Sequence, residues 1–132
     1  MKKIIGLFLG CVLSVWGGFL DEEALRAQKE RKLLLVNIES VDCPYCMKMK
    51  KEIFNQEAIR KQIDQQFIVV TFQSNDPSLP QDFRTQYLPA NAILEPKHQE
   101  ILDAYMGYIT PERFLEILND AYTRHKRRYK RV

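Results

Sequence analysis

Apolar and polar residues follow one another along the chain in blocks that predict its secondary structure. Residues 33–38 form a nearly continuous apolar run, which is typical of a strand buried on both faces. Residues 67–72 are rich in β-branched and aromatic side chains and predict a second strand. The predicted elements are helix 21–30, strand 32–40, helices 44–54 and 56–63, strand 66–73, helix 81–87, strands 90–94 and 101–105, and a final helix that opens at residue 110.

Caps, acidic residues and prolines mark where these helices start. Asp21 is expected to cap the first helix, with two glutamates in its first turn. Pro44 is expected at the first position of the second helix, where no backbone N–H is needed. Thr110 and Pro111 open the last helix in the same way.

The composition is that of a globular protein with an uneven charge distribution. The chain has 132 residues, which is the size of one domain, and 45% of them are hydrophobic. Two lysines at the start and six basic residues at 124–131 leave 12 basic against 17 acidic residues in between, although the net charge is +3. The body is therefore acidic and the C-terminal tail is basic.

The N-terminus has the pattern of an export signal. Lys2 and Lys3 precede the apolar residues 4–13, and small residues follow before a charged helix begins. This order predicts a signal peptide at residues 1–18 and a periplasmic or otherwise exported protein. An uncleaved inner-membrane anchor facing the periplasm is an alternative, because residues 4–20 reach the lower length limit for a span. A lipid-modified Cys11 is another.

The chain has three cysteines, and only Cys43 and Cys46 remain if Cys11 is removed with the signal. A loop this short makes a poor structural staple, so the pair is better interpreted as a reversible redox dithiol. It follows a strand and precedes a helix, whose N-terminus favours the thiolate of Cys43. No metal is predicted, because zinc needs about four ligands and neither His98 nor His125 has a ligand-like spacing.

Four segments in this order resemble secreted bacterial proteins of the thioredoxin-like family over residues 21–123. They are strand 33–38 leading into Cys-Pro-Tyr-Cys at 43–46, Tyr-Leu-Pro-Ala at 87–90, Met-Gly-Tyr at 106–108, and Thr-Pro-Glu-Arg-Phe at 110–114. The resemblance implies an α/β fold, a three-layer α/β/α sandwich around a mixed sheet of about four strands. The thioredoxin-like domain is expected at 19–124, followed by a basic tail at 125–132.

The resemblance and the position of the cysteines together assign roles to the site residues. Cys43, at the helix cap, is the attacking thiol, and Cys46, one turn deeper, is the resolving thiol. Pro44 and Tyr45 between them tune the redox poise. The resemblance also implies a cis bond between Leu88 and Pro89, which would face the cysteines and bind an extended substrate segment. No cofactor is expected apart from the Cys43–Cys46 disulfide itself.

Some positions depart from the family's pattern. Asn37 stands where thioredoxin has a buried aspartate that assists proton transfer to the resolving thiol. Glu39 is a candidate to replace it, although a solvated strand-end residue is the favoured interpretation. Asp42 places a negative charge beside Cys43 and opposes its thiolate. Three methionines are expected to be packing residues: Met47, Met49 and Met106.

These observations predict a periplasmic thiol–disulfide oxidoreductase that exchanges disulfides with cysteine-containing proteins and with a redox partner protein. We expect a monomer. Two alternatives remain open: a thioredoxin-fold binding or chaperone module with an idle or regulatory dithiol, and a membrane-tethered reductant for cytochrome c maturation. The basic tail is interpreted as a solvated helix end, with contact to anionic lipid as an alternative. The acidic body and the export signal argue against nucleic acid as a partner.

Overall fold

The computed structural model describes residues 18–129, and the side chains through residue 127. The predicted signal segment therefore lies outside the described residues, apart from its last residue. Four helices are α1 (Asp21–Glu30), α2 (Pro44–Met49), α3 (Glu57–Gln66) and α4 (Pro111–Tyr129). Four strands are β1 (Leu33–Glu39), β2 (Phe67–Gln73), β3 (Ala90–Leu94) and β4 (Ile101–Met106). A π-helical stretch, Lys50–Phe54, continues α2.

The strands form one mixed sheet in the order β2-β1-β3-β4. β1 pairs in parallel with β2, and it pairs antiparallel with β3. β3 and β4 form an antiparallel hairpin. β1 is thus an inner strand, and all seven of its residues are buried, as its continuous apolar run predicts.

Neighbouring residues of β1 point into two separate cores because side chains alternate across a strand. Leu34 and Val36 pack with α1 and with the segment around Phe83. Leu33 and Leu35 pack on the opposite face, with buried residues of the π-helical stretch, α3 and α4. The sheet therefore lies between two helical layers, and the predicted three-layer α/β/α fold class is confirmed.

Two predicted details of the helices are wrong. Asp21 does not cap α1, because Leu20 occupies that position and the Asp21 carboxylate accepts a hydrogen bond from Gln99 instead. The helix predicted at 81–87 is reduced to one 3₁₀ turn, Gln81–Phe83. Beyond that turn, the Thr85 hydroxyl accepts a hydrogen bond from the backbone N–H of Tyr87 at 3.0 Å, and this local bond replaces a helical one.

The last helix extends further than the predicted domain boundary. α4 runs to Tyr129, so residues 125–129 of the predicted basic tail are helical. Within residues 18–129, no helix is both long enough and apolar enough to cross a bilayer.

Candidate active site

The two cysteines lie where β1 is connected to α2. Cys43 is the cap residue of α2, with Pro44 at the first helical position, as predicted. The backbone N–H of Cys46 donates to Cys43 Sγ at 3.2 Å. Cys43 is partly exposed, whereas Cys46 is only 1% exposed. One sulfur is therefore accessible to a partner molecule, and the other lies beneath it within one helical turn.

The Cys46 thiol is held in its protonated form. Burial raises its pKa from 9.0 to about 11, and the hydrogen bond with Cys43 and the negative charge of Glu39 act in the same direction. Cys46 must lose this proton before its sulfur can attack another sulfur. The site therefore needs a group close by that can accept the proton.

Glu39 is the candidate proton acceptor, and the structure places it differently from the sequence-based interpretation. The interpretation of Glu39 as a solvated strand-end residue is wrong, because the residue is only 7% exposed. Its Oε1 atom lies 3.5 Å from Lys50 Nζ and accepts a hydrogen bond from Gln73 Nε2 at 3.3 Å. These two donors allow the carboxylate to remain buried at the end of β1.

A second buried polar group lies on the same face of β1. The side chain of Asn37 donates to Asn91 Oδ1 at 2.9 Å, and the two residues are register partners across β1 and β3. Asn91 Nδ2 in turn contacts Met49 Sδ at 3.6 Å, in α2. Asn37, at the position that holds an aspartate in thioredoxin, is therefore a neutral amide that is hydrogen-bonded to a second amide, Asn91.

Pro89 directly precedes β3, next to the end of β1. The Leu88–Pro89 peptide bond is cis, as the family resemblance implies. Leu88 is partly buried against the α1 side of the core. The Pro89 carbonyl accepts a hydrogen bond from Gly107 N–H at 2.7 Å, and Gly107 has a positive φ of 90° that favours glycine.

Exposed apolar side chains occur in the segments around the cysteines and Pro89. Tyr45, between the two cysteines, is 61% exposed, and Met47 follows them in α2 at 51%. Near Pro89, Tyr87 and Met106 are also exposed. Packing was expected for the methionines, but only Met49 is buried; Met47 and Met106 reach solvent. We call Val41, Tyr45, Met47, Tyr87 and Met106 the apolar collar.

A polar cluster that the sequence pattern did not predict lies beside Tyr45. The Tyr108 hydroxyl donates to Glu52, and Lys48 Nζ lies 4.6 Å from the centre of the Tyr108 ring. The hydrogen bond to Glu52 raises the pKa of Tyr108 to about 12. The centres of the Tyr45 and Tyr108 rings are 6.3 Å apart, so this cluster packs against Tyr45.

The other residues that the sequence analysis missed are the partners of the buried polar groups. Lys50, Gln73 and Asn91 come from three different elements, and no local motif connects them to the cysteines. Strand pairing was the usable signal, because Gln73 is the register partner of Glu39. Among residues 18–129, no three His, Cys, Asp or Glu side chains are grouped closely enough to hold a metal ion.

Comparison with protein families identifies one match over most of the chain. The family model described as a thioredoxin-like domain matches residues 20–122. UBX domain-containing protein 2 from Schizosaccharomyces pombe is 25% identical over 105 residues, which cover 76% of this chain and 24% of that protein. Anterior gradient protein 3 from Mus musculus is 30% identical over 83 residues, covering 61% of this chain and 49% of that protein. The chain thus spans half or less of the curated relatives that it matches.

Solved structures share the fold at low sequence identity. A thioredoxin from Thermus thermophilus has a TM-score of 0.64 at 23% identity, covering 75% of this chain and 80% of that one. The C-terminal domain of DsbD from Neisseria meningitidis has a TM-score of 0.60 at 14% identity, covering 76% and 90%. The periplasmic thioredoxin SoxS from Paracoccus pantotrophus has a TM-score of 0.55 at 21% identity, covering 70% and 97%.

Proposed function

Because this chain belongs to the family of thioredoxin-like domains, we propose that it is a thiol–disulfide oxidoreductase acting on protein thiols through Cys43 and Cys46. The geometry of the cysteine pair carries the proposal. A partly exposed sulfur at the start of α2 is paired with a buried sulfur one turn deeper. This arrangement suits a reaction in which one sulfur meets the partner and the other completes the exchange.

In the reducing direction, the exchange proceeds in two substitutions at sulfur. The Cys43 thiolate attacks one sulfur of a substrate disulfide, forms a mixed disulfide, and releases the other substrate sulfur as a thiolate. Cys46 then loses its proton and attacks Cys43 Sγ. This step forms the Cys43–Cys46 disulfide and releases the second substrate thiolate. Two electrons pass from the cysteine pair to the substrate, and the same steps in reverse oxidise a substrate dithiol.

Glu39 is proposed to accept the proton that Cys46 loses. The proposal is supported by the buried carboxylate at the end of β1 and by its effect on the pKa of Cys46. Asn37 has no titratable group and cannot take this role. Lys50 and Gln73 act as positioning residues, because their contacts hold the carboxylate in place.

The proposed substrates are cysteine-containing proteins and a redox partner protein. The apolar collar supports this class, since its exposed side chains, in the segments around the cysteines and Pro89, offer contact area to a polypeptide. The segment at Leu88–Pro89 is proposed to pair with an extended substrate chain, with Pro44 and Tyr45 setting the redox poise. The exchange is proposed to require no cofactor, because the cysteine pair itself carries the electrons.

The proposed location is the periplasm. The N-terminal sequence pattern supports it, and one of the proteins that share the fold is described as a periplasmic thioredoxin. Fusing alkaline phosphatase after residue 132 tests this, because the phosphatase folds only where disulfides form. We expect an active fusion with the whole chain and an inactive one when residues 1–18 are deleted. Equal activity of both fusions would contradict export by this segment.

Disulfide reduction by the whole chain tests the proposed activity. With dithiothreitol as the electron source, the wild type should reduce the disulfides of insulin faster than dithiothreitol alone. Cys43→Ser should lose this acceleration, whereas Ser78→Ala, which removes an exposed hydroxyl that bonds only Asp76, should keep it. A Cys43→Ser protein as fast as the wild type would refute the proposed activity.

The reduction potential of the Cys43–Cys46 pair gives the direction of electron transfer. A value of about −270 mV marks a reductant and a value of about −120 mV marks an oxidant.

A further inference from the structure

A positively charged pocket lies at the end of the sheet opposite the cysteines. It is a cavity of about 620 Å³ between the end of α1, the start of β1, the β3–β4 loop and α4. The cationic side chains that line it are Arg31, Lys32, Lys97 and Lys126. We call this cavity the basic pocket. None of its lining residues is acidic. The proposed redox reaction does not use this pocket.

Most of the positive charge at this pocket is not neutralised by ion pairs. Lys32 lies 3.5 Å from Glu30, which also pairs with Arg26. The ion pairs found among the described side chains do not include Arg31, Lys97 or Lys126. Arg31, Lys97 and Lys126 are also exposed, so the pocket presents available cations to which a negatively charged ligand can bind.

The floor of the basic pocket is apolar. Leu33 and Pro96 are buried there, and the ring of Tyr122 forms one side. Lys126 Nζ lies 5.6 Å from the centre of that ring. A free phosphate or the phosphates of a nucleic acid would contact only the cationic rim and would leave the apolar floor unused. A ligand with an anionic group next to hydrocarbon fits both rim and floor.

The positive charge continues beyond the pocket. Arg127 and Arg128 follow Lys126 in α4, and Lys130 and Arg131 follow in the sequence. An extended anionic surface matches a cationic run of this length in the sequence better than a single small ligand does. Each Lys or Arg near an anionic membrane strengthens binding by about fivefold.

We propose that the basic pocket binds the headgroup of an anionic phospholipid and thereby holds this end of the protein against an anionic membrane surface. β1 begins in the pocket at Leu33 and ends four residues before Cys43. Seven residues of strand separate the two ends by about 20 Å. The cysteines would therefore face away from the membrane, towards partner proteins. This inference does not depend on the redox proposal.

Vesicle binding of the full chain tests the proposal. We expect tighter binding to vesicles of phosphatidylcholine with phosphatidylglycerol than to phosphatidylcholine alone, which measures binding that is independent of charge. Lys97→Glu with Lys126→Glu should weaken the first affinity by at least about tenfold. Lys51→Glu with Lys61→Glu changes the net charge equally at exposed lysines outside the pocket and should weaken it by less than about threefold.

Two results of this experiment would overturn the inference. One is an equal loss of affinity in both double variants, which would mean that only net charge matters. The other is tighter binding to a single-stranded RNA of 20 nucleotides than to the anionic vesicles at the same salt concentration, which would identify a nucleic acid as the occupant. Circular dichroism of each variant verifies that it is folded.

A short lipid separates binding in the pocket from binding along the helix. Dihexanoyl phosphatidylglycerol, below the concentration at which it forms micelles, should shift the NMR signals of Leu33, Lys97 and Tyr122 in a saturable way. Inorganic phosphate should shift them less and with at least about tenfold weaker affinity, because it cannot use the apolar floor. Equal affinity for phosphate would reassign the pocket to a free phosphate, and lipid shifts confined to the end of α4 would exclude the pocket.

Discussion

Glu39 is buried at the end of β1, although a strand-end glutamate is usually exposed to solvent. An ionised carboxylate is stable in such a position only if donors replace the water it has lost. Lys50 and Gln73 supply those donors. The negative charge of Glu39 makes a small contribution, after burial and the contacts with Cys43, to the raised pKa of Cys46.

Replacing Glu39 tests this contribution. In Glu39→Gln, we expect the pKa of Cys46 to fall below about 11, because a negative charge that disfavours the thiolate is removed. Thiolate absorbance at 240 nm measures this pKa. If Glu39 also accepts the proton, release of substrate from the mixed disulfide becomes slower in the variant even though its thiol is more acidic.

The matched control for that experiment is Asp42→Asn, which removes an exposed carboxylate beside Cys43. Asp42 is not among the groups that shift the pKa of Cys46. We expect the Cys46 pKa to remain near that of the wild type in this variant. An equal fall in the Cys46 pKa in both variants would mean that Glu39 acts only through the net charge of the protein.

The raised pKa of Cys46 also predicts how stability depends on pH. The folded state binds the Cys46 thiol proton more tightly than the unfolded state does, since the ordinary pKa of a cysteine is 9.0 and that of Cys46 in the folded protein is about 11. The stabilisation that results from this tighter proton binding is complete below pH 9 and is lost as the pH rises towards about 11. In the reduced protein, the free energy of unfolding should fall over this range by up to about 3 kcal/mol more than in Cys46→Ala. Urea unfolding at several pH values measures the difference; parallel curves for the two proteins would contradict it.

The sequence predicted the residues that belong to local motifs. The Cys43–Cys46 pair and the segment at Pro89 are each defined by a motif of four consecutive residues. The burial of Glu39 could not be predicted in this way, because its donors lie 11 and 34 residues away in the chain. Only the pairing of β1 with β2 brings Gln73 opposite to Glu39.

Among the secondary structure elements, β1 supports both the core and the site. Leu34 and Leu35 are adjacent, both fully buried, and point into the two different cores. We expect Leu34→Ala and Leu35→Ala each to lower the free energy of unfolding by about 2–5 kcal/mol, since each leaves a cavity. Val41→Ala, at an exposed site, should change it by less than about 0.5 kcal/mol. Urea unfolding measures all three, and a small effect of either leucine variant would show that its core is absent.

The amide pair between β1 and β3 makes a separate prediction. Asn91→Ala leaves the buried Asn37 amide without its acceptor and should lower the free energy of unfolding by about 1–3 kcal/mol. Asn37→Ala should have a similar effect. The double variant should lose clearly less than the sum of the two, because the penalty of an unsatisfied partner is then absent. Additive losses in a double-mutant cycle would mean that the two side chains do not interact.

Most elements were predicted to within a few residues because their apolar runs are long and regular. The strand predicted at 32–40 is Leu33–Glu39, and the one predicted at 66–73 is Phe67–Gln73. The failure at 81–87 has a local cause, since the Thr85 hydroxyl competes for a backbone N–H. The π-helical stretch after α2 left no sign in the residue pattern.

The two proposed sites lie at opposite ends of the sheet. Cys43, Pro89 and the apolar collar lie at the end of the sheet where β1 finishes and β3 begins, and the basic pocket lies where β1 begins. The fold class could be predicted because the order of helices and strands, together with the cysteine pair after the first strand, resembles the thioredoxin-like family. The pocket could not, because its cations come from separate parts of the chain and meet only after folding.

Trapping of the mixed disulfide tests the central claim most directly. In Cys46→Ser, the sulfur that releases the substrate is absent, so Cys43 should accumulate covalent adducts with partner proteins. Non-reducing electrophoresis and mass spectrometry of the whole chain would detect adducts at Cys43 that disappear with dithiothreitol. Cys43→Ser, which keeps Cys46, should form few. Absence of adducts in Cys46→Ser, or an equal amount in Cys43→Ser, would contradict disulfide exchange through this pair.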